Sequence, residues 1–267
     1  MPSLQAVGGN KALQAFRVAG LSSDFYYIPN FISVEEEVSI LQKIPAQRWT
    51  QLTHRRLQAV PSTLTKNNTL LGAPLPTYLF NPVVQRFKEL GIFDETPHQQ
   101  PNHVLINEYK PGEGIMPHED GDAYAPVVAT VSLGGALCLD IVNKASSSGC
   151  LDEEKDDVTR FENGEEMELK EELTEYKIPT RILQEPRSLL ITTGDAYRNL
   201  MHGIASIEVD VNLNAKTIAN WNLVDDRHAI EEAGGRNVRE TRISLTYRDV
   251  LKVSSAASKV FGVLQKR

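Results

Sequence analysis

Cysteine is scarce in this chain of 267 residues: Cys138 sits in an apolar, strand-like run and Cys150 at the edge of an acidic segment. Two such residues make neither a disulfide framework nor a CxxC metal knuckle, and Cys138 reads as a small buried hydrophobe. The opening MPSLQAVGGNKAL has no basic flank followed by an apolar core, and no run of about 18 apolar residues occurs. Neither a secretory signal nor a membrane span is expected, and the chain reads as soluble and intracellular. A large positive charge is also missing. The net charge is −7, but Leu151 to Lys177 holds twelve acidic against four basic residues, which leaves the remainder near +1. That balance argues against tight, nonspecific phosphate binding without excluding nucleic acid from the folded part. No internal repeat is present.

What is there is a change of pattern along the chain. Phe25 to Ile28 reads as a strand ended by Pro29-Asn30. Ser33 and Glu36 make a capping box for a helix whose apolar stripe is Val34, Val38, Leu41 and Ile44. A second helix is expected over Pro76 to Leu90, with Leu79, Val83, Phe87 and Leu90 on one side and Gly91 as its stop. Short β runs follow: His103 to Tyr109, Val127 to Leu133, Ala136 to Val142, Ser188 to Thr193, Ala196 to Met201 and Arg242 to Tyr247. Two helices and then many short strands predict an α+β chain, mainly β, forming a sandwich or jelly roll with its N-terminal helices on one outer face. Its single domain is expected over 25–252, between tails at 1–24 and 253–267. An exposed acidic loop at about 145–180 and an insertion at about 212–239 carrying Trp221 interrupt the strands.

The informative stretch is NEYKPGEGIMPHEDGDAY, residues 107 to 124. On extended backbone, residues two apart face the same side, so His118 and Asp120 aim an imidazole and a carboxylate at one point, as a metal requires. Alone, such a pair is a weak signal. Asn107 and Tyr109 share a strand face with Leu105, and burying their polar groups unpaired would cost about 1–3 kcal/mol each. A further imidazole, His202, follows a strand-like run. In RISLTYR, period two puts Arg242, Ser244, Thr246 and Arg248 on one face and Ile243, Leu245 and Tyr247 on the other. Either the apolar face fills the core with the arginines in solvent, or the polar face looks inward and its guanidiniums need anions. A dicarboxylate would supply them.

N-x-Y-x-x-G, then H-x-D, a distant H-G and R-x-S-x-T-x-R together resemble the AlkB family of Fe(II)- and 2-oxoglutarate-dependent dioxygenases. The likeness runs from about Phe25 to Arg248, and INEYKPGEGIMPHEDG and LLITTGDAYRNLMHGI look closest to the branch known as AlkB homologue six. The resemblance implies a double-stranded β-helix with His118, Asp120 and His202 as the facial triad for Fe(II). It further implies Arg242, Asn107 and Tyr109 around 2-oxoglutarate, Arg248 bracing Asp120, and O2 as second cosubstrate; Ser244 stands where the family often has Asn. The implied reaction oxidises an N-methyl group on a nucleic acid base, giving succinate, CO2 and formaldehyde, with methylated RNA preferred to DNA and a nuclear and cytoplasmic location.

The segment at about 45–75 would be a lid, with Trp49 to stack a base and Arg55 and Arg56 to meet phosphate. Trp49 as a packing anchor beneath solvated arginines is the competing reading. Three rivals share the centre. A noncatalytic reader of methylated RNA and a dioxygenase acting on protein use the same residues, and a zinc hydrolase lacks a distinct general base here. A protein partner for the acidic loop is the remaining expectation; no oligomeric state is predicted.

Overall fold

The computed structural model describes residues 9–21, 24–144 and 176–254. Most of the expected acidic loop, Cys150 and the outer parts of both tails lie outside these residues. Ten of the fifteen strands among the described residues carry the fold: β1 (Phe25–Ile28), β2 (Arg56–Val60), β3 (His103–Tyr109), β4 (Ile115–His118), β5 (Tyr124–Gly134), β6 (Leu137–Asn143), β7 (Thr180–Gln184), β8 (Leu189–Thr193), β9 (Leu200–Ile204) and β10 (Arg242–Val250). The larger sheet runs β1-β8-β5-β10-β3-β2, with the short strand Thr50–Gln51 at its edge, and the smaller runs β4-β9-β6-β7. All pairings within both sheets are antiparallel. This is the expected mainly-β jelly roll.

Three helices cover the outer face of the larger sheet: α1 (Val34–Lys43), α2 (Thr77–Phe80) and α3 (Val83–Leu90). Ile40, Leu79, Val83, Val84 and Phe87 pack with Val104, Ile106, Val131, Leu245 and Tyr247. The capping box of Ser33 and Glu36 is present, and Leu41 and Ile44 of the expected stripe pack against the core, but the first turns of α1 do not follow the stripe. Val34 and Val38 are 55% and 46% exposed, whereas Glu37 faces inward, where its carboxylate accepts from the Gly134 N–H at 2.8 Å and from Arg187. The single helix expected over Pro76 to Leu90 is two. Asn81, ahead of Pro82, is extended (φ −105°, ψ 130°), the conformation a following proline ring favours. Gly91 does stop α3, in the left-handed region at φ 68°.

Residues 9–21, expected as tail, pack onto the fold: Val18 and Leu21 are buried between the sheets with Phe25, Tyr27 and Leu139. The 212–239 insertion covers the outer face of the smaller sheet, where Leu213, Ile218, Trp221 and Val224 enclose Cys138 and Leu183. Ala196 to Met201 is not a strand. Gly194, at φ +51°, opens the short helix α4 (Gly194–Asn199), and the strand begins at Leu200. One turn and a half of helix leaves no period to read, and the correction matters because it places His202 within β9. Among the described residues no helix is long and apolar enough to cross a membrane.

Candidate active site

β10 lies between β5 and β3 in the larger sheet, so both of its edges are paired, and side chains on both of its faces are buried. Ile243, Leu245 and Tyr247 pack under the helices, while Arg242, Ser244, Thr246 and Arg248 line a pocket between the two sheets. The apolar face fills the core, but the arginines opposite it are buried rather than solvated, so the polar face is the one that looks inward between the sheets. Cross-strand register builds the pocket floor in rows. Ser244 stands between Asn107 and Ser132, Thr246 between Leu105 and Thr130, and Arg242 opposite Tyr109.

The other wall comes from the smaller sheet. His202 on β9 pairs with His118 on β4, and a bulge follows before Ile204 meets Ile115. Gly203 permits this approach, since a Cβ there would lie 2.9 Å from the Pro117 nitrogen. The two imidazoles end with ring centroids 4.5 Å apart. His118 Nδ1 sits 3.0 Å from the Met116 carbonyl oxygen. A carbonyl only accepts, so Nδ1 is the donor in this contact and Nε2 is the nitrogen left for the pocket. Burial is the main cause that pushes His202 down to about 4, so its imidazole is neutral at physiological pH.

Asp120, just beyond β4, lines the same pocket. Burial acts to raise its carboxyl, but the Arg248 guanidinium, then His202 and His118, outweigh this and hold it below the ordinary carboxylate range. Its Oδ1 is ion-paired with Arg248 Nη2, and the guanidinium of Arg248 lies 5.0 Å from the centre of the Tyr124 ring. Among the described residues no three His, Cys, Asp or Glu side chains are gathered at metal-binding distances: the imidazoles are together and the carboxylate is drawn to Arg248. The donors nonetheless suit a divalent transition metal. They are two imidazoles, that of His202 neutral and that of His118 anchored through Nδ1, and an ionised carboxylate. Glu119, between them in sequence, points away and pairs with Lys144 at the surface.

Arg242 is the second notable group. It is fully buried, and its guanidinium meets only neutral acceptors: Ser132 Oγ, 2.8 Å from Nη2 and 3.2 Å from Nε, and Gln184 Oε1 at 2.8 Å. No carboxylate lies within ion-pair reach of it among the described residues, and burial is the largest cause lowering it to about 10. A buried cation without a counter-ion is costly, so the pocket is built for an anion. Asn107 and Tyr109 are buried beside it.

Of the expected lid residues, only Arg55 reaches the pocket, where its Nε donates to Asn107 Oδ1 at 3.2 Å. Trp49 and Arg56 do not line it. The Arg56 guanidinium lies 4.5 Å from the Trp49 ring centre and pairs with Glu108 at 2.6 Å. Ser132, Gln184, Tyr124 and Tyr197 were not singled out from the sequence. Ser132 had a signal, since it shares a face with Thr130 within an expected strand. Gln184 had none, because its strand adjoins the acidic segment.

The sequence matches the 2OG-Fe(II) oxygenase superfamily over residues 24–248. It is 34% identical over 247 residues to the Danio rerio protein named "Probable RNA/DNA demethylase ALKBH6", covering 91% of this chain and 93% of that one. The chain belongs to the 2OG-Fe(II) oxygenase superfamily. Within it the chain is of the AlkB type, a 2-oxoglutarate-dependent dioxygenase. It is also 29% identical over 233 residues to "Uncharacterized protein L905" of Acanthamoeba polyphaga mimivirus, covering 85% of each. Among solved structures, "The structure of OsALKBH1" aligns with a TM-score of 0.47 and 17% identity, covering 84% of this chain and 97% of that one.

Proposed function

We propose that this oxygenase removes N-methyl groups from nucleic acid bases, with RNA preferred to DNA, and that His118, Asp120 and His202 hold Fe(II) while Arg242, Asn107 and Tyr109 hold 2-oxoglutarate. The observation that carries this reading is the pocket itself, which has paired imidazoles and a carboxylate on one wall and an unneutralised, buried guanidinium on the other. Iron held by these residues would supply activation of O2, with one oxygen atom going to succinate and the other to the substrate methyl group. The hydroxymethyl group then leaves the nitrogen as formaldehyde, and the lost 2-oxoglutarate carboxyl leaves as CO2.

The chain's own residues orient these partners. Arg242 neutralises the far carboxylate of the cosubstrate, and Ser132 and Gln184 hold the guanidinium in place for it. Arg248 keeps Asp120 ionised and fixes one of its oxygens. His118, anchored through Nδ1 at the Met116 carbonyl, turns Nε2 toward the metal site. Beside the inner cavity an adjoining cleft of about 570 Å³ opens, sharing Arg55, Ile115 and Ile204 with it, and offers room for a nucleotide. The name of the Danio rerio relative, an RNA/DNA demethylase, supports a nucleic acid substrate.

The test is a panel of N-methylated RNA, DNA and peptide, followed by mass for loss of a methyl group and by succinate release. Methyl loss from RNA exceeding that from DNA supports the proposal. Turnover of peptide alone would overturn it, and binding of RNA without succinate would make the protein a reader.

A further inference from the structure

Arg55 stands at the tip of the hairpin formed by Thr50–Gln51 and β2. The Leu52 N–H donates to its carbonyl at 2.9 Å, and Gln51 Nε2 donates to the carbonyls of Leu52 and Arg55 at 2.8 and 3.2 Å. The backbone of the tip is thus held from both sides. From it the side chain reaches inward to Asn107 Oδ1 on β3. It lines both the inner pocket and the outer cleft. Among the described residues no carboxylate pairs with it, in contrast to its neighbour Arg56.

A guanidinium has donors and no acceptor. The contact therefore decides which way the Asn107 amide faces, because the flipped amide would set two donor groups against each other. With Oδ1 committed to Arg55, Nδ2 and its two hydrogens are the end left for the pocket. An amide fixed in that sense donates to an anion and offers it no repelling oxygen. Without Arg55 the amide is free to turn.

We infer that Arg55 is a positioning residue for the cosubstrate: it holds the Asn107 amide with its donor end toward the bound dicarboxylate and so ties tight cosubstrate binding to the seating of the hairpin. This rests on the placement of 2-oxoglutarate at Asn107 proposed above. It gives Arg55 a role other than contact with a substrate phosphate.

The experiment is calorimetric titration of 2-oxoglutarate into the full chain loaded with Mn(II), for wild type, Arg55→Ala, Arg55→Gln, Asn107→Ala and the Arg55→Ala/Asn107→Ala double variant. Arg55→Ala is expected to weaken binding about tenfold, the scale of one hydrogen bond to a charged system. Its unfolding midpoint without 2-oxoglutarate should stay at the wild-type value. Arg55→Gln, whose amide can donate to the same oxygen, should recover most of the loss, and in the Asn107→Ala background Arg55→Ala should have no further effect. Unchanged 2-oxoglutarate affinity in Arg55→Ala with a raised KM for methylated nucleic acid would overturn the inference in favour of phosphate contact. So would additive losses in the double variant. Wild type that binds Mn(II) but no 2-oxoglutarate would overturn the cosubstrate reading along with it.

Discussion

The guanidinium of Arg242 rests on the hydroxyl of Ser132, with Nη2 at 2.8 Å and Nε at 3.2 Å from Oγ, and has no carboxylate partner among the described residues. A buried cation kept for an absent anion costs the free protein stability. Arg242→Met is expected to fold with stability equal to or above wild type by about 0–2 kcal/mol, and to lose 2-oxoglutarate binding at least 100-fold. Urea unfolding and calorimetry read the two effects. A large loss of stability in this variant would mean that Arg242 serves the fold rather than a ligand.

Asp120 and Glu119 differ sharply in surroundings. Asp120→Ala strands Arg248 in the pocket wall and should destabilise by about 3–5 kcal/mol, the usual cost of breaking a buried pair from one side. It should also lose divalent metal. Glu119 is ion-paired only at the surface, so Glu119→Ala should stay within about 0.5 kcal/mol of wild type and bind metal normally. Metal loss in Glu119→Ala but not in Asp120→Ala would reverse the assignment.

His103, opposite Arg248 across β3 and β10, is pushed down to about 4, mainly by burial, then by Arg248, with its hydrogen bond to the Ser62 carbonyl acting the other way. The folded value lies below the ordinary 6.5, so the unfolded chain takes up the proton first. The contribution is complete above pH 6.5 and is lost as pH falls toward 4, a change of roughly 3 kcal/mol. His103→Gln should flatten the fall of unfolding free energy over that window relative to wild type, a difference in which His202 cancels. An identical slope in the two proteins would contradict the shift.

Arg56 and Trp49 pack together outside the pocket. Arg56→Ala should cost about 1–3 kcal/mol, because it leaves the buried Glu108 carboxylate without its partner, and Trp49→Ala about 2 kcal/mol, as for a half-buried aromatic. Neither is expected to change 2-oxoglutarate affinity. A raised KM for methylated RNA in Trp49→Ala, at unchanged stability, would instead place its ring against the base.

Much of the site was legible because strands announce themselves with period two. Asn107 with Tyr109, and Arg242 with Ser244, Thr246 and Arg248, each fall on one face, and the structure keeps both sets on the pocket side. Which face was inner could not be read from β10 alone, since a central strand covered on both sides buries both. The stripe of α1 held at Leu41 and Ile44 but not at Val34 and Val38, because Glu37 is buried by its bonds to Gly134 and Arg187, long-range contacts that an apolar stripe does not register. Gln184 and the split between α2 and α3 depended likewise on neighbours distant in sequence or on one proline. The packing of Trp49 beneath Arg56 shows a lid aromatic used by the fold, a choice that composition leaves open.

Anaerobic addition of Fe(II) and then 2-oxoglutarate to the folded protein tests the proposed centre most directly. The visible charge-transfer band of an iron-bound 2-oxoacid should appear in wild type, vanish in His118→Ala, and be restored in neither Asp120→Ala nor His202→Ala. Well-folded wild type that shows no band, or a band that survives in His118→Ala, would contradict the assignment of His118, Asp120 and His202 to iron.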